Sequence, residues 1–170
     1  DLKSSLNSLN KIIDKEEIVE HVTNFFSIIN VDIFSLRLLL ELFDFNPIIF
    51  ESSSSGTYYA WAKKEINTKN INTIINEIVN YLRETVSPKS LQDIILHINK
   101  RKKKSSRYST EEFQQAIEIC RDIEQSPDNS IQVNDSCLKS YTDKIYRILH
   151  NEGEPMNIQQ LAIRLNVDAT

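Results

Sequence analysis

The chain has 170 residues, of which 40% are hydrophobic and 26% are charged, so it can bury the core of roughly one ordinary domain or two to three very small ones. Its formal net charge of −4 argues against a protein that binds nucleic acid over its whole surface, although a local basic patch still attracts phosphate. The only glycines are Gly56 and Gly153, which excludes phosphate-cradling and dinucleotide-binding loops, because these need several closely spaced glycines.

Three helices are predicted before any β-structure. Residues 1–13 form an N-terminal helix or linker, because apolar residues recur there at helical spacing: Leu2, Leu6, Leu9, Ile12 and Ile13. The second helix follows the N-cap candidate Asp14 and ends at Asn30, with an apolar face of Ile18, Val19, Val22, Phe25, Phe26 and Ile29. The third runs from the N-cap candidate Asp32 to Phe43 and is apolar on most sides, which predicts a central position.

A β-hairpin is predicted next, because two β-prone runs flank a Ser/Gly turn. The runs are Ile48–Phe50 and Thr57–Trp61, and the turn is Ser52–Gly56. Helices followed directly by a hairpin are typical of a winged-helix unit. Residues 14–66 are therefore predicted to form a first winged-helix-like unit.

The pattern begins again in residues 67–139, the second predicted winged-helix-like unit. Its first two helices are expected over Ile71–Leu82 and Ser90–Asn99. A basic, serine-rich connector, residues 100–109, leads to a third helix capped by Thr110, whose apolar side chains are Ala116, Ile117, Ile119, Cys120 and Ile123.

A short strand at Ile131–Val133 completes the second unit, and residues 140–170 start a third helix-turn-helix unit. A helix from Tyr141 ends near Gly153, which suits a C-cap, and Asn157 caps the next helix. The sequence stops before a third helix or wing, so we expect this unit to be truncated. The predicted fold class is mainly α with small β-hairpins, in consecutive winged-helix units.

Residues 141–166 carry a family resemblance. They read YTDKIYRILHNEGEPMNIQQLAIRLN, in which a helix ends near Gly153, Pro155-Met156 follows, and Leu161 begins an LA-x-x-L core. This pattern resembles the opening of HARE-type winged-helix domains, and residues 71–133 resemble a looser copy. The resemblance implies an accessory or regulatory part in transcription, with contact to DNA or RNA polymerase.

The main candidate site is a run of cations with no acid among them: Lys100, Arg101, Lys102, Lys103, Lys104 and Arg107. Such a run attracts phosphates and releases counterions on binding. The adjoining Tyr108 is expected to pack on a sugar or base, and Ser105 and Ser106 to donate to phosphate oxygens. A solvated loop and a nuclear-localisation signal are the alternative interpretations.

Two other features favour protein contact. The helix after the basic run is acidic, through Glu111, Glu112, Glu118, Asp122 and Glu124, which disfavours a DNA groove flanked by phosphates. The aromatic residues Tyr58, Tyr59 and Trp61 are candidate partner-binding residues, because exposed aromatic side chains dominate interface energies. The alternative is that they pack this wing on its own helices.

No catalytic, metal-binding or cofactor-binding motif stands out. His21, His97 and His150 lie far apart, and Asp93 with His97 is interpreted as an ordinary i to i+4 polar pair. We therefore expect a non-enzymatic protein with no cofactor, no metal and no small-molecule substrate.

The cysteines Cys120 and Cys137 have no CxxC spacing and are expected to be buried thiols in a reducing compartment. We find no signal-peptide pattern and no apolar stretch long enough for a bilayer. These patterns predict an intracellular protein with no membrane partner.

Together these patterns predict a DNA-binding or transcription-associated accessory module that contacts the nucleic-acid backbone through residues 100–107. The alternative is a protein–protein interaction scaffold of winged-helix units within a larger transcription or DNA-processing complex. Overall acidity and the acidic helix favour that alternative.

Overall fold

The computed structural model describes residues 6, 9, 11–27 and 32–167. The chain divides into two compact units: unit 1 is Asp1–Ile75 with Ser109–Cys120, and unit 2 is Asn76–Tyr108 with Arg121–Thr170. The described residues form seven α-helices and two small antiparallel sheets of three and two strands. The expected helices with small hairpins are thus present, and the fold class is mixed α/β.

The sheet of unit 1 has the strand order β1–β3–β2. The two-residue β1 (Ile13–Asp14) and the longer β2 (Phe45–Ser52) both run antiparallel to the central β3 (Gly56–Lys63). The predicted hairpin is confirmed, although each of its strands is longer than its β-prone run. Pro47 lies within β2, where it is tolerated because β2 is an edge strand.

The hairpin turn has the expected local chemistry. The Ser52 hydroxyl accepts the backbone N–H groups of Ser54 at 3.1 Å and Ser55 at 2.9 Å. Gly56 takes a φ of 72°, a left-handed conformation that favours glycine. The turn residues therefore set where the hairpin reverses.

Two capped helices lie between β1 and β2 in the chain. Asp14 accepts the Glu17 N–H at 2.7 Å to start α1 (Lys15–Phe26), and Asp32 accepts two N–H groups at 3.0 Å to start α2 (Ile33–Leu42). Both predicted N-caps are confirmed. The predicted end of the first helix at Asn30, and most of the predicted helix over residues 1–13, lie outside the described residues.

The core of unit 1 lies between the sheet and these two helices. Its buried side chains are Leu6, Ile13, Ile18, Val22, Leu36, Leu40, Phe45 and Trp61. The predicted central position of α2 is wrong, because Phe34, Leu38 and Leu42 are 77%, 65% and 80% exposed. A sheet of three strands covers one face of α2, so the opposite apolar face meets solvent.

The next three helices are present as predicted, with changes at their ends. The apolar residues that recur at helical spacing along α3 (Ile71–Thr85) are buried: Ile71, Ile74, Ile75, Ile78, Val79 and Leu82. Ser90 caps α4 (Leu91–Lys100). The N-cap of α5 (Thr110–Ile119) is Ser109, not Thr110, because Ser109 and Glu112 form a reciprocal capping box. Ile123, predicted on this helix, instead begins a strand.

That strand, β4 (Ile123–Gln125), pairs with the predicted β5 (Ile131–Val133) in unit 2. A single bridge joins Lys89 to Ile131 on the other side, through two backbone hydrogen bonds of 2.9 and 2.8 Å. The chain order from α3 is therefore helix, bridge, helix, helix, hairpin.

The last two helices belong to unit 2. The first, α6 (Tyr141–Glu152), ends at Gly153 with a φ of 69°, and α7 (Ile158–Leu165) begins with an Asn157 capping box. Both predicted caps are confirmed. Arg164 reaches Glu152 at 2.6 Å and links the two helices. The expected truncation concerns Thr170, which lies outside the described residues.

Candidate functional site

The predicted cations lie on an exposed loop between α4 and α5, here called the cationic loop (residues 100–107). Lys100 ends α4, Arg101 is its C-cap, and Lys104–Ser106 forms one turn of 3-10 helix. Five of the six cations are exposed, and no ion pair in the described part of the chain involves them: Lys100, Arg101, Lys103, Lys104 and Arg107.

Asn99 and Tyr108 close the base of the cationic loop. The Asn99 side-chain amide donates to the Tyr108 carbonyl, and the Tyr108 N–H donates to Asn99 Oδ1, each at 3.0 Å. One side chain thus satisfies both backbone groups of the residue that ends the loop. The exposed cations project from a segment that is fixed at both ends.

Lys102 turns inward instead of joining the exposed cations. Its Nζ lies 2.8 Å from Glu77 Oε1, 3.2 Å from the Tyr108 hydroxyl and 4.4 Å from the Tyr108 ring centroid. The hydrogen bond to Glu77 raises the pKa of Lys102, and partial burial opposes that rise. Lys102 and Tyr108 are therefore engaged internally, and their contact with phosphate and base stays a prediction.

The aromatic candidates of the hairpin divide between core and surface. Tyr58 is 5% exposed and stacks on Phe50 with ring centroids 5.3 Å apart, and Trp61 is 2% exposed within the core of unit 1. Their predicted role as exposed anchors is corrected, because both side chains are buried. Tyr59 is 41% exposed, and its contact with a partner stays a prediction.

The acids predicted to line one helix are also dispersed. Glu111, Glu112 and Glu118 lie on α5, whereas Asp122 follows the helix and is 5% exposed. Glu124 lies on β4, where its carboxylate accepts a hydrogen bond from Gln132. The acidic character of α5 is therefore weaker than the sequence pattern indicates.

Unit 2 contains a cavity of about 320 Å³ beside the cationic loop, which the sequence patterns did not predict. Its lining residues come from α3, α4 and the loop: Glu77, Asn80, Tyr81, Glu84, His97, Ile98, Arg101 and Lys102. Tyr81 and His97 both line the cavity, and their rings stack on each other with centroids 4.0 Å apart and planes 17° apart. In the sequence, only the spacing of Glu77, Tyr81 and Glu84 on one helical face indicates these lining residues.

The remaining polar and thiol candidates have structural roles. Asp93 pairs with the N-cap Ser90, not with His97, through hydrogen bonds of 2.8 and 3.1 Å. Cys120 and Cys137 are buried thiols as predicted and form no disulfide with each other, and burial raises the pKa of Cys137. In the described ranges, no group of three or more His, Cys, Asp or Glu residues is placed to hold a metal ion.

No described helix is both long and apolar enough to cross a bilayer. Comparison of the chain with protein-family models, with curated proteins and with solved structures finds no match.

Proposed function

We propose that this chain is a DNA-binding accessory module that contacts the phosphate backbone through the cationic loop. The observation that carries the proposal is the set of five exposed cations on one short loop without an acidic partner in the described residues. Phosphates bind to such a cluster because condensed counterions are released. The chain as a whole is acidic, so contact is confined to this loop.

The anchoring of the loop supports the proposal. Because Asn99 holds Tyr108 and Lys102 holds Glu77, ordering the loop on DNA costs less conformational entropy than ordering a free segment. Ser105 and Ser106 are exposed on the same loop and add hydroxyl donors suited to phosphate oxygens.

The proposal includes the assignment of winged-helix units. The order of α3, the Lys89 bridge, α4, α5 and the β4–β5 hairpin matches the order of a winged-helix unit and supports that interpretation of residues 67–139. The capped α6–α7 pair supports the resemblance of residues 141–166 to the opening of HARE-type domains. The proposed part in transcription rests on that resemblance.

The test replaces the five exposed cations with Ser and leaves Lys102 in place, so that the internal contacts survive. Affinity for a duplex DNA is measured by fluorescence anisotropy over a series of salt concentrations. We expect weaker binding and a shallower salt dependence, by about 0.9 in log–log slope for each phosphate that the loop no longer binds. Unchanged affinity and slope would reject the proposal.

A matched control removes the same charge elsewhere. Five other exposed cations, each replaced with Ser, alter net charge equally: Lys15, Arg37, Lys64, Lys69 and Lys139. The salt slope should stay near that of the original chain, because these side chains lie outside the loop. An equal loss in both variants would point to net charge rather than to the loop.

The second candidate function, a protein-interaction scaffold, is favoured by one observation. Phe34, Leu38 and Leu42 form an exposed apolar stripe at i, i+4 and i+8 along α2, and such patches mark protein interfaces. Sedimentation velocity at increasing protein concentration tests self-association through this face. Association that a Leu38→Ser substitution abolishes, with duplex binding absent, would favour the scaffold.

A further inference from the structure

Binding of a DNA phosphate backbone to the cationic loop leaves the adjacent cavity unfilled. Its volume of about 320 Å³ lies near the lower end of small-ligand sites, which span about 300–1,000 Å³. It therefore suits a single planar heterocycle better than a peptide segment. Arg101 and Lys102 belong both to its wall and to the loop, so a ligand in the cavity lies next to any phosphate on the loop.

We propose that this cavity receives one unpaired nucleobase of a DNA strand whose phosphates lie on the cationic loop; the inference rests on the proposed function. The stacked Tyr81–His97 pair supplies an aromatic surface on the cavity wall. Stacking on aromatic side chains beside a positively charged groove is how proteins bind single-stranded nucleic acid. A base within a duplex has to leave the stack first, so an unpaired strand is favoured.

The charges in the cavity determine which bases fit. Glu77 is neutralised by Lys102 at 2.8 Å, whereas Glu84 is an exposed carboxylate on the same wall. A carboxylate accepts hydrogen bonds from an exocyclic amino group, which cytosine has and thymine lacks. We therefore assign Glu84 as a specificity-determining residue that favours cytosine over thymine.

The experiment titrates the full chain into labelled oligo(dC) and oligo(dT) of about twelve nucleotides and into a blunt duplex, all at the same low salt concentration. Oligo(dC) should bind more tightly than oligo(dT). Tyr81→Ala should weaken binding to oligo(dC) at least about fivefold and leave duplex binding unchanged. An equal loss on the single strand and the duplex would overturn the assignment.

A second variant protects the test against misfolding of Tyr81→Ala. Glu84→Gln keeps the size of an exposed side chain, so the fold is expected to survive. The amide that replaces the carboxylate still accepts a hydrogen bond from cytosine but also donates one to thymine, so Glu84→Gln should strengthen binding to oligo(dT) and reduce the preference for oligo(dC). Glu65→Gln, at an exposed position outside the cavity, should leave the preference intact. A preference for oligo(dC) that Glu84→Gln leaves undiminished overturns the assignment.

Failure of this inference is distinguishable from failure of the proposed function. Duplex binding that depends on the five exposed cations, with no preference for oligo(dC), rejects the base site and keeps backbone contact. Absence of binding to all three DNA molecules at low salt rejects both.

Discussion

Arg147 is the most deeply buried cation of the described residues and holds three segments of unit 2 together. Its side chain is 3% exposed and donates to the Val133 carbonyl, to Asp135 at 3.0 Å and to the Val86 carbonyl at 3.5 Å. Val86 takes a left-handed φ of 56°, which is unusual for a β-branched residue. Arg147 thus connects α6 both to β5 and to the strained segment after α3.

We predict that Arg147→Met lowers the free energy of unfolding by about 1–3 kcal/mol, because two buried carbonyls lose their donor. The larger cost of stranding a buried charge does not apply, since the Asp135 side chain is 79% exposed. Urea denaturation monitored by circular dichroism measures the change. Arg164→Met is the control: its pair with Glu152 is exposed, so its effect should be below about 1 kcal/mol. Equal effects would contradict this account.

Asp32 gives a prediction about pH. The Ser35 hydroxyl and then the Ser35 N–H are the largest causes that lower the pKa of Asp32. A carboxylate whose pKa is lower in the folded state stabilises the fold above its ordinary pKa. That contribution is lost as pH falls through the lowered value. The stability difference between the original chain and Asp32→Asn should therefore shrink from about pH 6 to about pH 3.

The measurement is urea denaturation across that pH range, and the control is the same comparison in a Ser35→Ala background. The pH dependence should flatten there, because the largest cause of the shift has been removed. A difference that stays constant with pH in the original background would contradict the assignment.

Among the elements, the closure of the cationic loop is the one most directly linked to the proposed function. We predict that Asn99→Ala speeds tryptic cleavage within residues 100–107, because neither hydrogen bond to Tyr108 can form and the cations become free to enter a protease site. Time-resolved mass spectrometry of the digest measures the rate. Asn76→Ala, at an exposed position on α3, should digest at the original rate. Unaltered cleavage in Asn99→Ala would show that the loop is held by other contacts.

Local chemistry explains which elements could be predicted from the sequence. The caps Asp14, Asp32, Gly153 and Asn157 act on backbone groups within a few residues, so they are recognisable without tertiary structure. The Ser52–Gly56 turn is recognisable for the same reason. Each of these positions is confirmed.

The features that could not be predicted from the sequence depend on partners distant along the chain. Lys102 turns inward because Glu77 lies 25 positions away on α3, and Trp61 is buried because two helices cover its strand. Ile123 leaves the helical pattern because β5 pairs with it. The Tyr81–His97 cavity likewise requires two helices to meet, which the periodicity of either helix alone does not reveal.

The path of the chain through its two compact units determines whether they can unfold separately. The chain passes between the two compact units three times, after Ile75, after Tyr108 and after Cys120. Helix α3 runs unbroken through the first of these positions. Because helix formation is cooperative along the chain, loss of order in one half of α3 weakens the other half. Neither compact unit is a continuous segment that a single cut would release.

We therefore predict that both compact units unfold in one transition. Trp61, the sole tryptophan, is buried in unit 1, and Cys137 is buried in unit 2. In a Cys120→Ala variant, tryptophan fluorescence and thiol labelling of Cys137 can be followed through the same urea series. Burial raises the pKa of Cys137 and shields its sulfur, so rapid labelling requires unit 2 to open. The two midpoints should coincide; labelling that is complete while the tryptophan signal is still native would show that unit 2 unfolds independently.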